Sequence, residues 1–137
     1  MSNSPVRDKS YQFALRIVKA YKHLTEVKRE FVLSRRMLQS GTDIGANVRK
    51  ANQAESKSEF THKMSIALEE AAATEYWLEL LHEGGYLEQK EFDSLQADCE
   101  ELLKLLTSIV KSSKQSKSFD RETMFINYPL SIAHYSL

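Results

Sequence analysis

Two glycines four positions apart, Gly41 and Gly45, lie in the stretch SGTDIGANV and raise the question of a phosphate-binding loop. A P-loop needs four residues between its glycines, followed by Lys and then Ser or Thr. Here three residues separate the glycines, and Ala46-Asn47 follow. The dinucleotide-binding fingerprint needs a third glycine after a strand. The stretch therefore does not predict a nucleotide site, whereas G-x-x-x-G within a helix predicts a groove for a closely packed neighbour.

Glutamate and histidine residues could bind a metal pair. A di-metal carboxylate centre in a helix bundle uses Glu-x-x-His on each of two helices. The sequence has this motif as Glu59-x-x-His62 and Glu79-x-x-His82, but both fall in one predicted helix, 20 residues apart. That separation is about 30 Å of helix rise, so the two motifs cannot share a metal pair within one protomer. No metal or cofactor is predicted, and no recognisable motif places a catalytic nucleophile.

Clustered arginines and lysines are the strongest candidates for contact with a ligand. Residues 1–63 carry 13 Lys and Arg against 6 Asp and Glu, whereas residues 64–137 carry 6 against 13. Such cationic clusters can hold phosphates without reading base sequence. The alternative is a solvated face whose cations pair with the acidic helices, within a protomer or between subunits. The candidate nucleic-acid-binding residues are Arg35, Arg36, Arg49, Lys50 and Lys57.

The segment that contains both glycines, about residues 27–53, has helical periodicity. Its apolar or small positions are Val27, Phe31, Ser34, Met37, Leu38, Gly41, Ile44, Gly45, Val48 and Ala51. This unbroken phase favours one long helix over the alternative, a break at Ser40-Gly41. Each glycine costs about 1 kcal/mol relative to alanine inside a helix, so close helix packing is expected in return. Gly41, Ile44 and Gly45 are therefore predicted to serve packing and assembly.

Three further segments are predicted to be amphipathic helices. The first, about residues 5–23, has Ser4 as its N-cap and a stripe of Phe13, Ala14, Ile17, Val18 and Tyr21. The third begins at a Ser56-x-x-Glu59 capping box, ends at Gly84-Gly85, and carries a core stripe of Phe60, Met64, Ala67, Ala71, Thr74, Leu78 and Leu81. A second stripe of Ile66, Ala73, Trp77 and Leu80 lies beside it, and Trp77 joins the predicted assembly residues. The fourth, about residues 88–111, places Cys99 at a core position as a buried, inert thiol.

Short connections between these segments favour antiparallel neighbours, so the predicted fold is all-α, an antiparallel up-down four-helix bundle with a C-terminal tail. The bundle is predicted over residues 1–111. Residues 112–137 form a polar linker and an apolar, Pro129-containing tail that could dock on its own bundle, a neighbouring subunit or another protein. One cysteine, an N-terminus unlike a signal peptide, and no apolar run of about 18 residues predict a cytoplasmic protein without a membrane span.

Three motifs together resemble a known family. They are Ser40 to Asn47, then Phe60-x-x-Lys63-x-x-Ile66-Ala67, then Tyr76-Trp77-Leu78. This combination resembles the four-helix-bundle proteins encoded by intervening sequences of bacterial 23S ribosomal RNA genes. The resemblance covers about residues 7–111. Asp43 stands where a serine is expected, and the tail has no counterpart in the family core.

The resemblance implies a bacterial homo-oligomer, a pentameric ring of bundles, with no assigned enzymatic activity. The family is similar to the accessory variability proteins of diversity-generating retroelements, which are pentameric and bind nucleic acid and a reverse transcriptase. By this analogy, the predicted function is a non-enzymatic, self-associating accessory factor that binds RNA or DNA. The alternative is a protein-only oligomeric scaffold that recruits a protein partner through its tail.

Overall fold

The computed structural model describes residues 4–115, which form a bundle of four helices. They are α1 (Pro5–Glu26), α2 (Leu33–Asn52), α3 (Lys57–Glu83) and α4 (Gln89–Gln115). Consecutive helices pack side by side, and α1 also contacts α4. The predicted all-α four-helix bundle is therefore confirmed. The predicted tail, from residue 116 onward, lies outside the described residues. Within the described part of the chain, no helix is both long and apolar enough to cross a membrane.

The hydrophobic core is built from positions three or four residues apart on each helix. The predicted core stripe of α3 is confirmed, because all of its members are buried: Phe60, Met64, Ala67, Ala71, Thr74, Leu78 and Leu81. On α1 the buried stripe includes Phe13, Ile17 and Leu24. The placement of Val18 in that stripe is wrong. This side chain is 40% exposed, since it lies about 100° around the helix from Ile17.

The predicted N-terminal caps of α1 and α3 are both present. Ser4 Oγ accepts a hydrogen bond from the Arg7 amide at 3.2 Å. At the start of α3, Ser56 Oγ accepts from the Glu59 amide at 3.1 Å. The Glu59 carboxylate accepts in return from the amide of Glu55 at 3.1 Å, one residue earlier than in the standard capping box. These bonds satisfy amides that have no partner within the helix.

The C-terminal ends of α3 and α4 differ in how well the sequence predicts them. α3 stops at Glu83, directly before the predicted glycine pair, and Gly85 takes a positive φ of 92° that favours glycine. α4 continues to Gln115, beyond the predicted end at Lys111. Serine-rich sequence after Lys111 indicates a linker, but Ser113 is buried within the bundle, and this burial holds the last turn in place.

The predicted start of the second helix at Val27 is wrong. α1 extends to Glu26, and residues 27–32 connect it to α2. Val27 and Phe31, both placed in the apolar stripe from their spacing, are 63% and 47% exposed. Arg29 adopts a positive φ of 59°, which no continuous helix allows. The connection ends at a cap that the apolar pattern does not reveal.

That cap is the Glu30 side chain, which is buried against the first turn of α2. Glu30 Oε2 accepts from the amides of Val32 at 3.2 Å and Leu33 at 2.9 Å, and Oε1 accepts from the amide of Ser34 at 2.7 Å. Burial alone would raise the pKa of Glu30. The amide hydrogen bonds outweigh burial and lower the pKa below its usual value of 4.5.

The two glycines of α2 lie inside an uninterrupted helix, as predicted, and both face α1. A methyl group at Gly41 would come within 2.9 Å of two carbons of Ile17, a β-branched side chain that is fully buried. A methyl group at Gly45 would meet Ser10 at 3.4 Å, which is ordinary van der Waals contact. Gly41 is therefore required for α1 to approach, whereas Gly45 leaves room for a side chain.

Cys99 is buried, as predicted, and links α4 to α3. Its thiol donates a hydrogen bond to the Ala71 carbonyl at 3.3 Å. Burial, with the nearby carboxylates of Glu75, Glu100 and Asp98 adding to it, raises the pKa of Cys99 to about 12. The thiol therefore stays protonated at neutral pH.

The two glycines should respond in opposite directions to the same substitution. Gly45→Ala gains helix propensity without a clash, so we expect the free energy of unfolding to rise by up to about 1 kcal/mol. In Gly41→Ala, overpacking against Ile17 costs about 1–3 kcal/mol, which exceeds the gain, so this variant should be less stable than wild type. Urea denaturation followed by circular dichroism measures the free energy of unfolding of both variants. A change of the same sign in both would contradict the difference in packing at the two glycines.

Replacing the buried cap, as Glu30→Gln, should destabilise the protein at neutral pH by about 2 kcal/mol, because hydrogen bonds to a charged acceptor are lost. Because the pKa of Glu30 is lowered on folding, its contribution is complete above pH 4.5 and disappears as pH falls through the folded value. The stability gap between wild type and variant should therefore narrow in acid. Glu26→Gln, an exposed carboxylate one turn earlier, is the control and should show little change at any pH.

Candidate nucleic-acid interface

The outward side of α2 is basic. Arg35, Arg36, Arg49 and Lys50 are all exposed, because the core positions of α2 turn the opposite side of the helix inward: Ser34, Met37, Ser40, Gly41, Ile44, Asn47, Val48 and Ala51. Asp43 is the sole acidic residue of this helix. We call these four exposed cations, with the surface between them, the α2 face.

The five predicted binding residues do not form one cluster. Arg35 and Arg36 lie in the first turn of α2, and Arg49 and Lys50 lie in the last. The pairs are 14 residues apart along the helix, which is about 21 Å. Lys57 is half-buried at the first position of α3, at the same end of the bundle as Arg49 and Lys50. The cations therefore form a line along one helix, with one group at each end.

Two cations of α1, Lys9 and Arg16, have acidic partners on α4. Lys9 Nζ lies 2.8 Å from Glu101 Oε2, and Arg16 Nη1 lies 2.6 Å from Asp98 Oδ2. Both ion pairs join α1 to α4. By contrast, no cation of the α2 face makes an ion pair within residues 4–115. Pairing of basic with acidic helices inside the protomer therefore neutralises Lys9 and Arg16, whereas no ion pair within residues 4–115 neutralises the α2 face.

Three arginines on or beside the α2 face lie over aromatic rings. The guanidinium carbon of Arg49 is 5.2 Å from the ring centre of Tyr11, and that of Arg36 is 5.4 Å from the Trp77 ring. Arg29, in the connection before α2, lies 5.2 Å from the ring of Phe31. These distances are within the range of cation–π attraction. The rings hold the guanidinium groups at defined places, and within residues 4–115 no carboxylate forms an ion pair with them.

Spacing along the helices does not predict the aromatic partners of this surface. It predicts a core position for Phe31 and indicates no role for Tyr11. Tyr11 lies off the buried stripe of α1, and that helical phase was the available signal for an exposed ring. Its approach to Arg49 depends on how α1 crosses α2, which spacing within either helix does not specify.

The predicted assembly residues divide into two groups. Gly41, Ile44 and Gly45 face inward and pack α2 against the rest of its own protomer. Trp77 is half-buried against the core and lies under Arg36. The other members of the second α3 stripe, Ile66, Ala73 and Leu80, are half-buried and do not belong to the core cluster. This stripe is therefore an apolar surface on the outer side of α3.

Acidic side chains gather on α3 and α4. Burial, with repulsion from Glu79 and Glu100 adding to it, raises the pKa of Glu75. The pKa of Glu70 is also raised, mainly by burial and then by repulsion from Asp43 and Glu69. Carboxylates that repel one another in this way form a surface suited to cations.

The Glu-x-x-His motifs do not form a shared site. Glu59 is engaged in the cap of α3, and His62 is exposed. His82 lies near the other end of the same helix, where its Nδ1 is 2.9 Å from the Leu87 carbonyl oxygen. Among residues 4–115, no group of three or more His, Cys, Asp or Glu side chains is arranged to hold a metal ion.

Comparison with known proteins identifies the family. Residues 2–108 match the family described as 23S rRNA-intervening sequence protein. A crystal structure from Bacteroides thetaiotaomicron, described as a protein of unknown function from the S23 ribosomal protein family, is 51% identical with a TM-score of 0.76. The alignment covers 77% of this chain and 98% of that one. No protein with a curated description matches. The predicted resemblance is confirmed, and the chain belongs to the 23S rRNA-intervening sequence protein family.

Proposed function

We propose that this protein is a non-enzymatic, self-associating bundle that binds nucleic acid through the α2 face. The observation that carries the proposal is that Arg35, Arg36, Arg49 and Lys50 are exposed and make no ion pair within residues 4–115. Unpaired exposed cations keep their charge available for phosphates, since no carboxylate must be displaced first. A line of cations about 21 Å long suits a phosphate backbone better than a small anion.

The family to which the chain belongs suggests which nucleic acid to test first. Its description refers to an intervening sequence of 23S rRNA, which makes RNA the first ligand to test, with DNA beside it. Contacts from arginine and lysine to phosphates position a backbone and carry no base sequence information. We therefore expect binding that depends strongly on salt and little on sequence.

Self-association is supported by the second stripe of α3. Ile66, Ala73 and Leu80 lie outside the core cluster, and Tyr76 beside them is exposed. We propose that this surface contacts a second copy of the chain. The family resemblance implies a pentamer, which is the assembly we expect. Burying these side chains between subunits would remove apolar area from water.

Nucleic-acid binding should weaken when either end of the α2 face is reversed in charge. We expect the double variants Arg35→Glu/Arg36→Glu and Arg49→Glu/Lys50→Glu each to lose about tenfold or more in affinity. Each should also lower the slope of log affinity against log salt by about 1 to 2. Fluorescence anisotropy with labelled RNA and DNA at low salt measures this. Lys19→Glu, an exposed cation on α1, is the control. Absence of binding by wild type, or binding that salt does not weaken, would refute nucleic-acid binding.

Two adjacent alanines on α3 test the assembly surface. Ala73 belongs to the second stripe and is half-buried, whereas Ala72 is exposed. Glutamate has nearly the same helix propensity at both sites, so Ala73→Glu should reduce the solution mass towards that of a monomer and Ala72→Glu should not. Light scattering with size-exclusion chromatography measures the mass. A monomeric wild type, or an unchanged mass in Ala73→Glu, would be evidence against this surface.

A protein-only scaffold is the second candidate function, and the acidic surface of α3 and α4 favours it. Burial and, after it, repulsion from Glu79 and Glu100 raise the pKa of Glu75, and cations of a neighbouring subunit beside it would relieve that repulsion. In that arrangement, the α2 face would be an interface between subunits. The two charge-reversed double variants then lose oligomer mass, whereas in the proposed function they keep the oligomer and lose nucleic acid.

A further inference from the structure

We infer that the α2 face takes single-stranded nucleic acid and that Tyr11 and Phe31 stack against its bases. This inference rests on the proposed function and adds the class of ligand to it. Both rings are exposed aromatic side chains, and both lie beside an arginine, Arg49 at Tyr11 and Arg29 at Phe31, each at 5.2 Å.

Each pair combines the two groups that binding a single strand needs. The arginine supplies a charge for the phosphate, and the ring supplies a surface for the base. Tyr11 and Phe31 remain about half exposed despite the guanidinium group beside them, so a base can reach them. The pair of Arg36 and Trp77 differs, because the Trp77 ring packs against the core and is assigned to packing.

The two pairs stand at opposite ends of the same helix. Phe31 precedes α2 by two residues, and Tyr11 lies beside Arg49 in its last turn. α2 has 20 residues, or about 30 Å of rise. Along the same helix, Arg35 and Lys50 are exposed and available to phosphates of the strand. At the spacing of about 3.4 Å between stacked nucleotides, this length corresponds to at most roughly nine nucleotides, and to fewer where the bases are unstacked.

Stacking is what separates single strands from duplexes. In a duplex the faces of the bases are covered by their neighbours, and a protein reaches only base edges and the backbone. Phosphate contacts alone would hold either form. Two exposed rings beside two arginines add stacking energy to binding, and only bases that are not already stacked on their neighbours can gain it.

The experiment compares three ligands on the full-length protein by fluorescence anisotropy: an oligouridylate of about 12 nucleotides, an abasic oligomer with the same backbone length, and a duplex RNA. The ligands are chosen to cover the roughly nine nucleotides between the rings. Wild type should bind the oligouridylate about tenfold or more tightly than the abasic oligomer, because each stacked base adds roughly that factor.

Tyr11→Leu and Phe31→Leu remove a ring and keep an apolar side chain. Each should weaken oligouridylate binding by about tenfold, with affinity for the abasic oligomer, its salt dependence and the solution mass unchanged. Leu15→Ala, an exposed apolar residue one turn from Tyr11 that is not stacked with an arginine, is the control and should bind like wild type.

Each contrary outcome has a distinct meaning. Equal affinity for the abasic oligomer and the oligouridylate overturns stacking and leaves nucleic-acid binding in place. A lower solution mass in either ring variant assigns that ring to a subunit interface and also overturns the inference. If none of the three ligands binds, the proposed function fails, and the inference fails with it.

Discussion

The contact between Ile17 and Gly41 is the constraint on which the remaining arrangement depends. No side chain at Gly41 separates α1 from α2, and two carbons of a fully buried isoleucine fill the space that a methyl group would occupy. Because this contact fixes which side of α2 faces α1, it also fixes which side faces solvent. Arg35 and Lys50 point outward as a consequence of a packing contact on the opposite side of the helix.

The same geometry explains why the basic half of the chain is not electrically uniform. α1 lies beside α4, so Lys9 and Arg16 meet Glu101 and Asp98. α2 packs mainly between α1 and α3, and within residues 4–115 its exposed cations form no ion pair with the carboxylates of α4. A protein with no net charge can therefore carry an uncompensated basic line, because topology decides which charges meet.

Local patterns predicted most of the fold, and side chains outside those patterns account for the errors. The capping serines and the α3 stripe follow from spacing along a single helix, and the structure confirms them. The start of α2 depends on the Glu30 carboxylate, which turns back onto three amides, and hydrophobic periodicity carries no signal for it. The exposure of the α2 cations follows from helical periodicity, but the position of their aromatic neighbours does not. A pair such as Arg49 and Tyr11 exists only where two helices cross.

The proposed assembly and the proposed nucleic-acid binding make different demands on this bundle, and they draw on two adjoining surfaces that meet where Arg36 lies over Trp77. The outer stripe of α3 is apolar and only half covered by its own protomer, so burial against another subunit would be favourable. The α2 face is charged, and covering it without opposite charges would cost desolvation energy. Assembly through α3 leaves α2 open to phosphates, whereas assembly through the charges would bury it. The proposed nucleic-acid binding therefore requires that subunits meet through α3 and not through the α2 face.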